Sequence, residues 1–337
     1  MPNTLVVGLG SMGKRRIRCL RQLGKYKIFG VDLRLDRRKE VEELFNIKTF
    51  DSIYNFPHES SLDFAIIALP PDQHIEALHW CTRFGINSFV EASVILEGLE
   101  DITSNMDAIK LIKPSCTLLF HPAIQILKEI LQFEKLGSLS NVIVHSGQYL
   151  PYWHNYESVS DFYVSQRSTG GARELVPFEL TWITDLFGVP LRVCANYRKT
   201  INIPGAEEID DTYNILLDYG HFLGSLTIDV VSRHPNRRIL VNGSKAQFLW
   251  EWENNYVEVK QSDTKEAHRT YFDKGISSKN YNENINEDMY LNELNAFIDS
   301  LNGVSSFPNT LQKDVKILGL LQKIELSNDS GRFIEVI

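Results

Sequence analysis

The apolar positions in the first 120 residues form short unbroken runs that alternate with amphipathic stretches. Thr4–Val7, Tyr26–Val31, Phe64–Ala68 and Asn87–Val90 each read as a strand buried on both faces, and Thr117–Phe120 reads as a last one. Helical patterns lie between them, at Lys14–Leu23 with Gly24 as its stop, at Asp36–Phe45, at Asp72–Phe84 with Gly85 as its stop, and in one further helix ending before Pro114. Strands alternating with helices predict a doubly wound parallel sheet covered on both faces.

After His121-Pro122 the rhythm changes. A helix is predicted at Ile124–Phe133. Strand-like runs then follow at Asn141–Leu150, Leu191–Lys199, Asp211–Asp218, Phe222–Val231, Arg237–Val241, Ala246–Trp252 and Tyr256–Lys260. Only Gly171–Leu186 interrupts them with a helical pattern. This predicts an α+β domain whose open, mostly antiparallel sheet is backed by one helix. The polar stretch Gln261–Glu287 reads as a long loop, and two helices are expected at Asp288–Leu301 and Leu311–Leu326. The expected division is a first domain over 1–120 and a second over 121–337.

Composition narrows the class. The 337 residues are 43% hydrophobic and 23% charged, which excludes a disordered chain or a disulfide-stapled mini-protein. The formal net charge of −8 argues against a nucleic-acid partner, because an acidic surface repels phosphate backbones. No apolar run reaches the roughly 18 residues of a membrane helix, and no secretory pattern opens the chain. Cys19, Cys81, Cys116 and Cys194 form no CxxC pair and read as reduced thiols of a cytoplasmic protein. The nine histidines lack the spacings that place two rings on one metal, so no metal site is expected.

The motif Gly8-Leu9-Gly10-Ser11-Met12-Gly13 follows a predicted strand and opens a helix. In that context it marks a dinucleotide cradle. Gly8 permits the tight turn, Gly10 lets backbone approach a pyrophosphate, and Gly13 lets helix and strand pack closely. The helix N-terminus, with Ser11 and Met12, offers free N–H groups to the anion. Asp32 ends the second strand 22 residues after Gly10, where a carboxylate accepts the ribose hydroxyls and repels a 2′-phosphate. NAD is therefore expected over NADP, with Arg34 placed to soften the repulsion. At the next strand end, Ala68-Leu69-Pro70-Pro71-Asp72-Gln73-His74 turns toward the ligand crevice. Leu69 and Pro70 border the cofactor there, and His74 either faces it or caps its own helix. Lys14-Arg15-Arg16 reads as a phosphate contact or a solvated face.

These motifs resemble the glucose–fructose oxidoreductase / inositol dehydrogenase (Gfo/Idh/MocA) family over nearly the full length. The matches are residues 8–13, residues 68–74, Phe120-His121-Pro122 and Met289-Tyr290-Leu291-Asn292-Glu293-Leu294. Gln148-Tyr149-Leu150-Pro151-Tyr152-Trp153-His154 resembles a branch of sugar and surface-polysaccharide dehydrogenases. The resemblance implies a Rossmann domain, hydride transfer at a sugar-like carbinol or its ketone, and association through an open sheet, as a homodimer or homotetramer.

The departures carry as much information. Where the family has Glu-Lys-Pro, with a proton-carrying lysine, this chain has Glu91-Ala92-Ser93. Glu91 keeps its expected place by the cofactor, while Ala92 transfers no proton. After Gly170-Gly171, where the family has a helix bearing Asp and His, this chain has Arg173 and Glu174, with Phe178 in the histidine position. Glu174 and Phe178 share a helix face that, in the resembling family, looks at the nicotinamide. The candidate proton carriers are Glu174 and His154, with Tyr149 and Tyr152 behind them. Glu174 alternatively pairs with Arg173, and His154 alternatively serves as a loop histidine. Trp153, Arg173 and Phe178 are the candidate substrate contacts. The two readings are an oxidoreductase on a sugar, cyclitol or nucleotide-linked sugar, and an NAD-binding relative with a non-standard reaction or a binding role.

Overall fold

The computed structural model describes residues 1–57, 61–153, 157–264, 267–273, 275 and 287–336. The chain divides into two compact units, Met1–Thr117 with Asp288–Lys316, and Leu118–Glu287 with Ile317–Ile337.

In the first unit, strands β1 (Asn3–Val7), β2 (Lys27–Val31), β3 (Lys48–Phe50), β4 (Phe64–Ile67), β5 (Asn87–Val90) and β6 (Ile112–Pro114) form one sheet in the order β3-β2-β1-β4-β5-β6. Every pairing is parallel. The central strands are the most apolar for a physical reason. Leu5, Val6, Ile66 and Ile67 are covered on both faces and fully buried. Helices α1 (Ser11–Leu23), α2 (Leu35–Phe45), α3 (His74–Arg83), α4 (Leu99–Thr103) and α5 (Met106–Leu111) connect the strands, and α8 (Asp288–Leu301) returns late in the sequence to pack on α1. Strand order reverses between β1 and β4, the position at which such sheets open a ligand crevice.

Three expectations change here. Thr117–Phe120 is a 3-10 turn, not a strand; the sixth strand is Ile112–Pro114, at the sheet edge, where Pro114 can do without a ladder donor. The single helix expected before Pro114 is split into α4 and α5, because the Asn105 side chain caps a new helix start by accepting from Asp107 and Ala108 N–H. A domain border near residue 120 leaves α8 with the second half of the chain, whereas its contacts lie in the first unit.

The second unit is built on a nine-stranded sheet of β7 (Leu139–Tyr149), β8 (Arg192–Arg198), β9 (Thr212–Asp218), β10 (Leu223–Asp229), β11 (Val231–Gly243), β12 (Ala246–Glu251), β13 (Tyr256–Gln261), β14 (Ala267–Tyr271) and β15 (Ile334–Glu335). The order is β14-β13-β12-β11-β7-β10-β9-β8-β15, and only β7 with β10 is parallel. Helices α6 (Pro122–Gln132) and α7 (Ala172–Phe187) belong to this unit, as does the later part of α9 (Leu311–Ser330). Alternation along the strands sorts the faces. Val142, Val144, Leu217 and Leu226 line a small cavity with Ile183 and Phe187 of α7. Ile143, Leu216 and Leu223 point the other way and remain 43%, 51% and 61% exposed. β14 falls in the stretch expected to be a loop. No described helix is long and apolar enough to cross a membrane.

Candidate functional site

The glycine-rich turn of the first unit is shaped by contacts that only glycine permits. Gly8 has φ +91°, and a Cβ there would lie 2.4 Å from the Ala68 carbonyl oxygen. A Cβ at Gly13 would lie 1.9 Å from the Gly8 carbonyl oxygen, so the first turn of α1 is pressed against the end of β1. Ser11 and Met12 form that first turn. The Met12 thioether accepts from Arg15 Nη1 at 3.3 Å.

Asp32 is buried at the end of β2, and both its oxygens are held by backbone. Oδ2 accepts from Leu9 N at 2.8 Å and Oδ1 from Arg34 N at 2.8 Å. The carboxylate is thus fixed beside the glycine turn, as a ribose-binding acid must be. Arg34 is the cation expected to soften the repulsion of a 2′-phosphate. Its guanidinium is drawn to Asp36 at 2.6 Å, and that bond holds the Asp36 carboxyl down to about 2. The approaching cation is Arg37, whose Nη1 lies 4.0 Å from Asp32 Oδ2 and 3.3 Å from where a Gly10 Cβ would sit. The glycine cradle, the helix N-terminus without a side-chain cap at Gly10, and the fixed acid together fit a dinucleotide.

Leu69 and Pro70 follow β4 and are half-buried. The Leu69 carbonyl accepts from His74 Nε2 at 2.9 Å, so the ring closes its own turn. Burial pushes His74 down to about 4, which keeps it neutral. Glu91 is engaged bidentately by Arg16, at 2.6 and 3.1 Å. The same guanidinium reaches Glu293 Oε2 at 2.7 Å. Glu293 also accepts from Ser115 Oγ at 2.9 Å, Cys116 N at 2.6 Å and Thr117 Oγ1 at 2.9 Å. Arg16 is completely buried; its burial is outweighed by Glu91 and Glu293, which raise its proton affinity above the ordinary value. The triplet Lys14-Arg15-Arg16 is therefore neither a phosphate contact nor a solvated face as a whole. Lys14 pairs with Glu40 at 2.7 Å, and Arg15 is buried over the Tyr290 ring at 4.3 Å. A buried arginine reads like a surface one in sequence, and Glu293 carried no signal beyond the resembling motif around it.

In the second unit, Glu174 sits in the first turn of α7, after the Gly171 N-cap. Its Oε1 accepts from the Tyr163 hydroxyl at 2.6 Å, and its Oε2 is enclosed without a hydrogen-bond partner among the described residues. Burial pushes its carboxyl up to about 7, against the pull of Tyr163. The alternative pairing with Arg173 does not occur. Arg173 Nε binds Glu325 at 2.5 Å and its Nη1 donates to the Ser168 carbonyl. Phe178 is half-buried one turn after Glu174. Trp153 is half-buried, with an enclosed indole N–H that has no partner among the described residues. His154 lies outside the described residues. Tyr163 is the functional candidate that sequence reasoning missed.

Residues 3–110 match an oxidoreductase family described by its NAD-binding Rossmann fold, and residues 124–249 match the GFO/IDH/MocA C-terminal domain. Comparison with curated proteins yields no match. Among solved structures, an oxidoreductase from Agrobacterium radiobacter in complex with NAD+, L-tartaric acid and magnesium is similar, with TM-score 0.84 at 13% identity over 99% of this chain and 98% of that one. A levoglucosan dehydrogenase in complex with NADH has TM-score 0.83 at 14% identity over 100% and 99%. A myo-inositol dehydrogenase from Corynebacterium glutamicum has TM-score 0.78 at 15% identity over 100% and 99%. Identities this low establish the shared fold.

Proposed function

Because the chain belongs to the Gfo/Idh/MocA family of oxidoreductases, we propose that it is an NAD-dependent dehydrogenase acting on a hydroxyl-bearing carbon of a sugar, a cyclitol or a nucleotide-linked sugar. The observation that carries this reading is Glu174. It is a carboxyl with near-neutral proton affinity and one enclosed oxygen that has no partner among the described residues, in the helix where the family resemblance places its acidic and imidazole groups. A group that titrates near neutrality is suited to take a proton in one direction and return it in the other. It supplies what Ala92 and Phe178 cannot. The levoglucosan and inositol dehydrogenases among the similar folds support the polyol substrate class.

Gly8, Gly10, Gly13 and the N–H groups of Ser11 and Met12 would hold the pyrophosphate, and Asp32 the adenosine ribose. Bound there, the dinucleotide supplies the two-electron acceptor for the carbinol hydrogen. Glu174 takes the hydroxyl proton as the carbonyl forms. NAD is favoured over NADP, because both oxygens of Asp32 are locked in place where a 2′-phosphate would meet them. The exposed apolar residues of the second unit's open sheet support a homodimer or homotetramer. No disulfide joins the four cysteines, which suits the cytoplasm.

The test follows nicotinamide absorbance in purified protein with a panel of sugars and cyclitols. Cycling of the cofactor with one of them, and a fall in kcat of about 10² in Glu174→Gln, are expected. Absence of cycling with every polyol favours the non-dehydrogenase reading.

A further inference from the structure

The segment before α7 is folded tightly on itself. Gly170 passes so close to Val164 that a Cβ there would lie 2.0 Å from the Val164 carbonyl oxygen. Gly171, with φ +64°, donates its N–H to that same carbonyl at 3.0 Å. Thr169 Oγ1 donates to the Tyr163 carbonyl at 2.9 Å. The glycine pair therefore presses the turn Tyr163–Ser165 against the start of α7. The Tyr163 hydroxyl is thereby brought to Glu174 Oε1 at 2.6 Å, while Glu174 Oε2 stays enclosed and unpartnered among the described residues. On its own helix, the neighbouring Arg173 is turned away to Glu325. From the packed loop, Tyr163 is the titratable group that faces the carboxyl.

We propose that Tyr163 is the positioning residue that makes Glu174 a two-way proton carrier, its phenol orienting the carboxyl through Oε1 and stabilising the ionised form. The proposal rests on the reading of Glu174 as the proton-transfer group. Tyr163 keeps its own proton throughout. In that reading the substrate hydroxyl proton passes to the Glu174 carboxyl and returns from it in the reverse direction. Burial alone disfavours the carboxylate, and the donated hydrogen bond offsets part of that effect, keeping the group within reach of neutral pH. This also gives the Gly170-Gly171 pair a purpose beyond helix capping, since a side chain at Gly170 would push the Tyr163 turn away.

Difference infrared spectroscopy of the full chain across about pH 5 to 9 follows the protonated carboxyl of Glu174, with Glu174→Gln removing the band and so assigning it. Tyr163→Phe keeps the ring and deletes the donor. The midpoint is expected to rise by about one unit or more, because a hydrogen bond to the charged form is lost. Thr169→Val, which only loosens the Tyr163 carbonyl, is the second variant and should shift the midpoint the same way by less. A midpoint that is unchanged or lower in Tyr163→Phe overturns the proposal, as does the lack of any Glu174 band. With an active sugar in hand, the pH profile of kcat should move with the infrared midpoint. If the midpoint moves but Glu174→Gln keeps full kcat, the coupling stands and the catalytic reading of Glu174 falls.

Discussion

Arg16 Nη2 and Glu293 Oε2 lie 2.7 Å apart although 277 positions separate the two residues in the chain. Both side chains are fully buried, and Arg16 simultaneously holds Glu91. Glu91 and Glu293 flank one guanidinium, so each charge depends on the others for its place in the interior.

Replacing Arg16 by Met should therefore strand two carboxylates. The expected cost is about 3–5 kcal/mol, read as a lower denaturant midpoint for the first unit. Arg16→Lys should recover only part of it, since an ammonium cannot make the bidentate contact with Glu91. A midpoint unmoved by Arg16→Met would count against the network.

Asp314 gives a pH signature. Burial pushes its carboxyl up to about 7 from 3.8, against the pull of Asn309. Between about pH 4 and 7 the folded form keeps a proton that the unfolded chain has lost, so this group lowers stability as pH rises. Buried His74, at about 4, and His121, at about 3, act with the opposite sign below their unfolded value of 6.5. The comparison must therefore be made within one pair of proteins. Asp314→Asn should gain in melting temperature relative to the unmodified protein on going from pH 4 to 7. A constant difference across that range would refute the assignment.

For the cofactor, calorimetry should find NAD(H) bound about tenfold or more tightly than NADP(H). Asp32→Ser should narrow that ratio, and Arg37→Ala should widen it, because Arg37 is the cation beside Asp32. Tighter NADP(H) binding by the unmodified protein would contradict the proposal.

The open sheet face offers a fourth check. Ile143 and Leu216 both neighbour Ser225 across the sheet, and Leu223 lies on the same face. Light scattering at micromolar concentration should give a dimer or tetramer. Leu216→Arg should shift the population toward monomer. A monomeric unmodified protein would remove the idea.

What the sequence revealed and what it hid follow one physical rule. Gly8, Gly13 and Asp32 were legible because their tasks are local: a turn, a close approach, a strand end. The longer strands of both sheets were legible because burial on one or both faces imposes a short-range pattern, whereas β3, β6 and β15, of three, three and two residues, are too short to show one. Arg16, Glu293 and Tyr163 were not, because each acts through a partner brought near only by folding. A charged triplet at a helix start reads as solvated even when two of its members, here Arg15 and Arg16, are buried. β14 escaped for a related reason. As a sheet edge carrying His268 and Arg269, it has no apolar alternation to show.

The late return of α8 to the first unit ties that unit's completion to the order of synthesis. When Val90 and Glu91 have left the ribosome, Arg16 has one of its two carboxylates, and the second follows about 200 residues later. At roughly 5–20 residues per second that is a wait of about 10–40 s. Through that interval the nascent first unit contains a guanidinium built for an interior it cannot yet complete. Its final consolidation thus belongs to the last part of translation, after strands β7 to β14 of the second sheet have been made.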